Sequence, residues 1–175
     1  STKKTIHDTR ESRMTTEHTT RWLIRRDIEP ALELGAMIPW DQGDMLTHNK
    51  QRNAIGMVCE DSDQQIVGWL AYTLGPSHFG IANIACDDWT APATALMQRL
   101  LNKMGDRRDL ITVSVPDYQD DILCMLRACG FVVWQQDGDE IQMRYGLPIS
   151  SQLTEIGGEV CRRSTGFPCM LPEGF

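Results

Sequence analysis

Histidine and cysteine side chains are the first candidates for metal or nucleophilic chemistry in this sequence. Six cysteines and four histidines are present, but no Cys-x-x-Cys pair occurs and no histidine stands at ligand spacing from a cysteine, so a zinc site is not expected. Four cysteines fall in apolar segments, which favours small buried thiols. The other two, Cys161 and Cys169, lie near the end of the chain and are the candidates for redox chemistry.

Titratable residues near the middle of the chain admit two interpretations each. His48 and His78 could act as bases beside a cleft, although a lone histidine at a turn or helix end is more often solvated. Asp87 and Asp88 follow an apolar run; they form an acid/base pair, or they cap the next helix and face solvent. A basic group further on either meets a phosphate or forms a solvated face. Its members are Arg99, Lys103, Arg107 and Arg108.

Composition limits the class of protein. The chain has 175 residues, 41% hydrophobic and 23% charged, as expected of one domain with one core. No apolar run approaches the roughly 18 to 20 residues that span a bilayer, and the first ten residues lack the apolar stretch of a secretory signal. The net charge of −7 argues against nucleic-acid binding, which needs a basic face. We therefore expect a cytoplasmic protein that binds neither nucleic acid nor membrane.

The elements that position these side chains can be predicted from periodicity. Residues 1–19 are polar and read as a flexible leader, residues 20–147 as the folded domain, and residues 148–175 as a weakly patterned tail. A short strand is predicted at 22–24, then a helix capped by Asp27 and ended by Gly35, and a second helix capped by Asp41. Strands follow at 54–59, 66–74, 79–86, 110–115, 131–134 and 140–145.

Two further helices, at 92–104 and 118–129, separate the later strands, and turn residues 137–139 join the last pair. A helix between strands implies a parallel crossover, whereas short turns imply antiparallel hairpins. The predicted fold class is α/β (α+β): a mixed, mostly antiparallel central sheet of about six to seven strands with helices on both faces.

Several strings, in this order, carry a family resemblance. They are Arg21–Asp27 at the first strand and cap, Pro39-Trp40 between the first two helices, Gln51–Val58 and Val67–Trp69 in the first hairpin, Asn83-Ile84-Ala85 in the third strand of that sheet, and Leu126–Phe131 near the last helix. Together they resemble the GNAT acetyltransferases, and within them the ribosomal-protein alanine N-acetyltransferase branch. The resemblance covers about residues 20–147.

The resemblance implies acyl transfer from acetyl-CoA to an amine, either a protein N-terminus or a small amine. It places the cofactor's pyrophosphate at a helix N-terminus, where free amides favour an anion, and its thioester beside the preceding strand. Trp40, Asp41 and Asp44 fall where the family binds its acceptor; an acidic lining would favour a cationic amine, although Trp40 also suits a core anchor. The implied cofactor-binding residues are Ile84, Ala85, Cys86, Ala91, Ala93, Thr94 and Gln119.

The sequence also departs from the family pattern. The stretch Asp87–Thr94 has neither the glycines nor the cation of the family's phosphate loop, and Pro92 removes an amide donor. The family's signature tyrosine aligns with Leu126, its asparagine with Gln119, and the glutamate of this branch with Ser114. No catalytic residue is therefore assigned. The small residues from Ala91 onward allow either a residual CoA site built from amides or an ordinary helix N-terminus.

These departures keep a second hypothesis open. The alternative is a catalytically inactive GNAT-fold protein that acts through protein or ligand binding, and a third is the same fold with another acyl donor. Apolar residues in the tail could be buried by a protein partner or by a second copy in a homodimer. The net charge of −7 is also mildly unfavourable for the anionic cofactor.

Overall fold

The computed structural model describes residues 17–146, and seven strands form one sheet within them. The strands are β1 (Thr19–Trp22), β2 (Ala54–Glu60), β3 (Ile66–Leu74), β4 (His78–Cys86), β5 (Leu110–Pro116), β6 (Val132–Asp137) and β7 (Glu140–Tyr145). The helices are α1 (Ile28–Glu33), α2 (Gln42–Lys50), α3 (Ala91–Leu101) and α4 (Asp120–Ala128), and a 3-10 turn at Arg25–Asp27 precedes α1. The predicted tail, and the predicted leader up to residue 16, lie outside the described residues.

The strand order across the sheet is β1-β2-β3-β4-β5-β7-β6. Neighbours are antiparallel except β4 and β5, which are parallel and joined through α3. This is the crossover that a helix between two strands requires. The predicted α/β class, with a mixed and mostly antiparallel sheet, is confirmed.

Each face of the sheet has its own apolar cluster. On one face α3 and α4 bury residues such as Leu96 and Ile122 against the strands. On the other face α1 and α2 bury Ala31 and Met45 against β2 and β3, around Trp69. The predicted placement of helices on both faces is therefore confirmed, and it follows from strands whose side chains are apolar on both sides.

The structure corrects the prediction for the first strand and the first cap. β1 ends at Trp22, earlier than the predicted strand at 22–24, because its four residues pair with β2 from Thr19↔Glu60 to Trp22↔Met57. Asp27 does not cap α1 with its side chain. Its carboxylate instead accepts hydrogen bonds from Arg21, at 2.7 and 2.9 Å, and from the Ile24 backbone at 2.8 Å.

Other local predictions agree with the structure or differ by a turn. Asp41 caps α2 and exchanges hydrogen bonds with Asp44, both at 2.9 Å, as a capping box does. The β6–β7 hairpin turns at Gly138, whose φ of 61° suits glycine. α3 ends at Leu101 instead of at residue 104, and its chain continues through tighter turns. Of the cysteines predicted to be buried, Cys124 is exposed and that prediction was wrong for it.

Candidate functional site

β4 and β5 pair along only part of their length, and this creates a fork in the sheet. Pairing runs from His78↔Leu110 to Ile81↔Val113 and then stops. Beyond that point β4 continues to Cys86 along β3, and β5 continues to Pro116 along β7. The β4 register shifts at Ala82, a bulge that bends the strand away from its parallel neighbour. We call the space between Ala82–Cys86 and Ser114–Pro116 the fork.

The predicted cofactor residues on β4 form one arm of the fork. Ile84, Ala85 and Cys86 are all buried, with 1%, 3% and 6% of their surfaces exposed. Ile84 and Cys86 pack in the α3/α4 cluster and Ala85 in the α1/α2 cluster, so it is their backbone that faces the fork. Burial raises the pKa of the Cys86 thiol well above its ordinary value, which excludes a thiolate nucleophile there.

Met37 joins the two arms of the fork. Its backbone N–H donates to the Ile84 carbonyl at 2.9 Å, and its carbonyl accepts from Gln119 Nε2 at 2.9 Å. Gln119 stands at the start of α4, directly after β5. The side chain of Met37 is buried in the α3/α4 cluster. The segment before α2 therefore occupies hydrogen-bonding groups on both sides of the fork.

Asn83 holds this bridging segment in place. Its Nδ2 donates to the Ile38 carbonyl at 2.9 Å, and its Oδ1 accepts from the backbone N–H groups of Ile38 and Ile84 at 3.2 and 3.0 Å. The residue is completely buried, so these bonds replace the water it has lost. The sequence contained a signal for it, because Asn83 is the one amide in an otherwise apolar strand. Met37 was not predicted, because its residue type carries no such signal.

The first turn of α3 supplies few donors for an anion. Ala91 begins the helix, Pro92 has no N–H, and the Thr94 N–H already bonds the Thr90 carbonyl at 2.9 Å. The amides of Ala91 and Ala93 remain from the first turn. Ala91 and Thr94 are exposed and Ala93 is buried against the sheet, so the three predicted residues do lie together at one helix end.

Negative charge precedes that helix end. Asp87 and Asp88 are both exposed, and the Asp87 N–H completes the β3 ladder by bonding the Val67 carbonyl. The Asp88 carboxylate accepts from the hydroxyl and the backbone N–H of Thr90, and these bonds lower the pKa of Asp88. The structure therefore favours the interpretation that Asp87 and Asp88 face solvent over the alternative of an acid/base pair, and neither caps α3, whose N-cap is Thr90.

Three of the four basic residues predicted near this helix are engaged elsewhere, and the fourth, Arg107, is exposed. Arg99 and Lys103 lie 4.8 and 4.7 Å from the ring centre of Trp22 at the β1 edge of the sheet, and Arg99 also donates to Thr20. Arg108 donates to the Gly75 carbonyl and lies over Phe79. None of these three reaches the fork. A surface groove beside β1 is lined by His18, Thr20, Ala95, Gln98, Arg99, Asn102 and Lys103.

Neither His48 nor His78 faces the fork. His48 is 5% exposed, bonds the Ile55 carbonyl through Nε2 at 3.2 Å, and lies 5.3 Å from the Trp40 ring. Burial lowers the pKa of His48, which keeps the ring neutral at pH 7. His78 begins β4, at the end opposite the fork. Trp40 also lies 6.0 Å from Trp69, so its role as a core anchor is the one that the structure supports.

Three hydrogen-bonded polar side chains lie on the β5 side of the fork. Gln142 Nε2 donates to the Ser114 hydroxyl at 3.0 Å, and Ser114 Oγ donates to Glu140 Oε2 at 2.9 Å. Ser114 was noted from the sequence, whereas Glu140 and Gln142 were not. Strand pairing brings them together, since Ser114 faces Gln142 and Pro116 faces Glu140. Leu126, by contrast, is buried in the α4 core and has no proton to offer.

Two negative findings apply to residues 17–146 alone. No three His, Cys, Asp or Glu side chains of that segment converge as a metal site. None of its helices has the length and apolar character needed to cross a membrane.

Comparisons with known proteins report on the fold. No protein-family model and no curated protein sequence matches the chain. Among solved structures, the ribosomal-protein-S18-alanine N-acetyltransferase from Escherichia coli is similar with a TM-score of 0.60 and 16% identity, over 76% of this chain and 96% of that one. A point mutant of the spermidine N-acetyltransferase SpeG from Vibrio cholerae gives 0.59 and 16%, over 74% and 93%.

A third similar structure is the PaiA N-acetyltransferase from Thermoplasma acidophilum in complex with coenzyme A, with a TM-score of 0.60 and 13% identity over 75% of this chain and 99% of that one. At these identities the likeness concerns the fold. The chain has the fold of the GNAT N-acetyltransferases, as the resemblance implied.

Proposed function

We propose that this protein transfers an acyl group from acetyl-CoA to a primary amine. The observation that supports this most directly is the fork between β4 and β5, with a buried backbone arm on one side and a polar side-chain chain on the other. The proposal takes its reaction type from proteins that share the fold. The acceptor, the cytoplasmic location and any homodimer remain predictions.

The residues of the fork fit the thioester arm of the cofactor in part. The Ile84 N–H and carbonyl are already bonded to Asn83 Oδ1 and to the Met37 N–H, so at the end of β4 it is the backbone of Cys86 that offers an edge for amide pairing. Gln119 carries a side-chain amide on the other side of the fork, and its Nε2 is bonded to the Met37 carbonyl. The first turn of α3, with Ala91 and Ala93, would face the pyrophosphate. When bound, the cofactor supplies the activated acyl group; the protein supplies orientation and proton transfer.

Two features oppose tight binding. Asp87 and Asp88 repel phosphate, and the loop offers neither a glycine nor a cation in exchange. Each lost charge-assisted hydrogen bond costs about 1.5–3 kcal/mol, so losing two weakens binding by about two to four decades. Met37 must also release Gln119 or the Ile84 carbonyl before another molecule can use those groups.

Isothermal titration with acetyl-CoA tests the proposal. We expect weak binding to the wild type, tighter binding to the double variant Asp87→Asn, Asp88→Asn, and weaker binding to Ala91→Phe, which crowds the exposed helix start. The double variant Glu29→Gln, Glu33→Gln, which removes two exposed carboxylates from α1, is the matched charge control and should titrate like the wild type. Absence of binding to every variant at millimolar acetyl-CoA would remove the enzyme from consideration.

The second candidate function is that of an inactive GNAT-fold protein that works through binding. The Met37 bridge favours it, because the fork is already closed by the protein's own backbone. Acetylation of an amine by the purified protein, with a rate that collapses in Ala91→Phe, would contradict this candidate. Wild-type binding of acetyl-CoA without transfer to any amine would favour it.

A further inference from the structure

An amine acceptor reaches a transfer site as an ammonium ion, because its ordinary pKa lies near 8 for an α-amine and near 10 for a lysine-type amine. It cannot attack until it loses a proton. The site therefore needs an acceptor group within hydrogen-bonding reach, directly or through one water. A carboxylate also attracts the ammonium before the proton leaves. This requirement rests on the proposed function and can be checked against the polar groups at the fork.

The histidines and the aspartate pair that the sequence analysis singled out fail this requirement by position. His48 is buried under α2 and His78 stands at the far end of β4. Asp87 and Asp88 belong to the loop before α3, beyond the end of β4, and Asp88 is bonded to Thr90. None of them is hydrogen-bonded to a β5 side chain. Glu140 is.

Strand register places Glu140 at the fork. The last β4–β5 pair is Ile81↔Val113, so Ser114 is the first β5 residue at which the strands separate. Ser114 lies on the sheet face opposite α4, since Val113 and Val115 point into the α4 core. Glu140 comes from the neighbouring strand, and its Oε2 lies 2.9 Å from Ser114 Oγ. The carboxylate therefore reaches back to the point where the fork opens.

The surroundings fix the orientation of this carboxylate. Gln142 donates to Ser114 Oγ, so the serine hydroxyl must direct its own proton to Glu140. The turn before Glu140 is fixed to the end of β5, because the Asp117 N–H donates to the Asp139 carbonyl at 2.7 Å. Glu140 Oε1 has no hydrogen-bond partner among residues 17–146 and can accept one.

We propose that Glu140 binds the ammonium group of the acceptor and takes its proton, with Ser114 as the residue that positions it. The ammonium N–H passes its proton to the Glu140 carboxylate, directly or through one water. The freed nitrogen lone pair forms the C–N bond with the acyl carbon of a thioester, and the C–S bond breaks with its electron pair leaving on the thiolate sulfur. The nitrogen is positively charged after the attack and passes its second proton through water to that thiolate, so that the products are the neutral amide and the free thiol. Glu140 thus supplies a carboxylate from β7 at a place where β5 itself carries only serine.

Amine binding without any cofactor tests the first half of this proposal. The probes are the tripeptide amide Ala-Ala-Ala-NH2 with a free N-terminus and the same peptide N-acetylated, followed by NMR shifts of the Ser114 and Gln142 backbone amides. We expect the free amine to bind at least about tenfold more tightly than the acetylated form, the size of one charge-assisted hydrogen bond. Glu140→Gln should remove this preference, and Glu33→Gln should keep it.

The same titration tests the positioning role of Ser114. Ser114→Ala should weaken the preference for the free amine, and Ser114→Thr should restore it by returning the hydroxyl. Equal binding of the two peptides, a preference that survives in Glu140→Gln, or no binding of either peptide at millimolar concentration would each overturn the proposal.

Kinetics with acetyl-CoA separate this proposal from the proposed function. Glu140→Gln should lower kcat/KM about 100-fold, while Glu33→Gln leaves it unchanged. If the wild type turns over and Glu140→Gln matches it, the role of Glu140 is wrong and the acyltransferase stands. If the wild type neither binds acetyl-CoA nor turns over, the acyltransferase is wrong and the peptide titration alone decides Glu140.

Discussion

The two halves of the sheet differ in how they are covered. Strands β1 to β4 have helices on both faces, with α1 and α2 on one side and α3 on the other. Strands β5, β7 and β6 are covered by α4 on one face, and on the other face no helix of residues 17–146 packs against them. The fork lies where the two halves meet.

This difference separates the half of the sheet that contributes most to stability from the half that carries the candidate chemical groups. Polar side chains are costly to bury without partners, so the strands of the doubly covered half bury mainly apolar side chains, and both amide heteroatoms of the buried Asn83 are hydrogen-bonded. The Tyr72 hydroxyl is an exception, since it is buried with no hydrogen-bond partner among residues 17–146. The open face can carry Ser114, Gln142 and Glu140 because water reaches it. A rigid arm of backbone and an accessible arm of side chains thus face each other across the fork.

The largest predicted effect belongs to the doubly covered half. Trp69→Ala removes a side chain with no exposed surface and the donor of the Gly35 carbonyl, and should lower the free energy of unfolding by about 3–5 kcal/mol. Thr112→Ala on the open face should change it by less than about 0.5 kcal/mol. Urea denaturation followed by tryptophan fluorescence or circular dichroism measures both. Similar losses in the free energy of unfolding for the two variants would contradict the proposed difference between the two halves of the sheet.

A smaller effect is predicted for the ion pair that holds β1 to the start of α1. Burial by itself would raise the pKa of Asp27, but hydrogen bonds from Arg21 and the Ile24 N–H outweigh it and hold that pKa below its usual range. Asp27→Asn should cost about 2 kcal/mol at pH 7, less than for a fully buried pair, because Arg21 is 36% exposed.

The pH dependence of stability has a definite sign here. Since the folded pKa of Asp27 is lower than the unfolded value of about 3.9, its contribution is present above pH 4 or so and is lost as the pH falls through the folded pKa. Wild-type stability should therefore approach that of Asp27→Asn under acid. The control is Asp63→Asn at an exposed turn. A constant difference between wild type and Asp27→Asn from pH 7 to pH 2 or so would contradict the ion-pair account.

The smallest predicted effect concerns the contact between the halves. Gln119→Ala removes the donor to the Met37 carbonyl and should cost about 1 kcal/mol locally, so the Met37 amide should exchange its hydrogen roughly fivefold faster. Gln135→Ala, which loses only a bond inside the last hairpin, is the control. If Met37 exchange is unchanged in Gln119→Ala, the side chain of Gln119 does not hold the fork closed.

The sequence predicted most of the elements because their signals are local. The alternation of the β-forming runs and the helical spacing of Leu96, Met97 and Leu100 record burial that the structure confirms. Asp41 was recognised as a cap from its own turn, and its partner Asp44 is three residues away. The prediction that Asp27 caps α1 was wrong because its carboxylate bonds Arg21, which lies on β1 and not in the turn beside the helix.

The candidate site was predicted only in part for the same reason. Ile84, Cys86 and Gln119 could be placed at the strand and helix ends that form the fork. Met37 could not, because its contacts use backbone atoms that every residue type has, across 47 residues to Ile84 and 82 to Gln119. Glu140 stands 26 residues from Ser114, and only the β5–β7 register joins them.

The sequence alone determined the fold class, the order of the elements and the absence of glycine and cation from residues 87–94, where α3 begins, since each depends on residue type within a short window. The tertiary structure decided which carboxylate stands at the fork and that Met37 spans it. Those two facts depend on strand pairing and on backbone hydrogen bonds between distant segments, and a linear pattern of side chains does not encode either one.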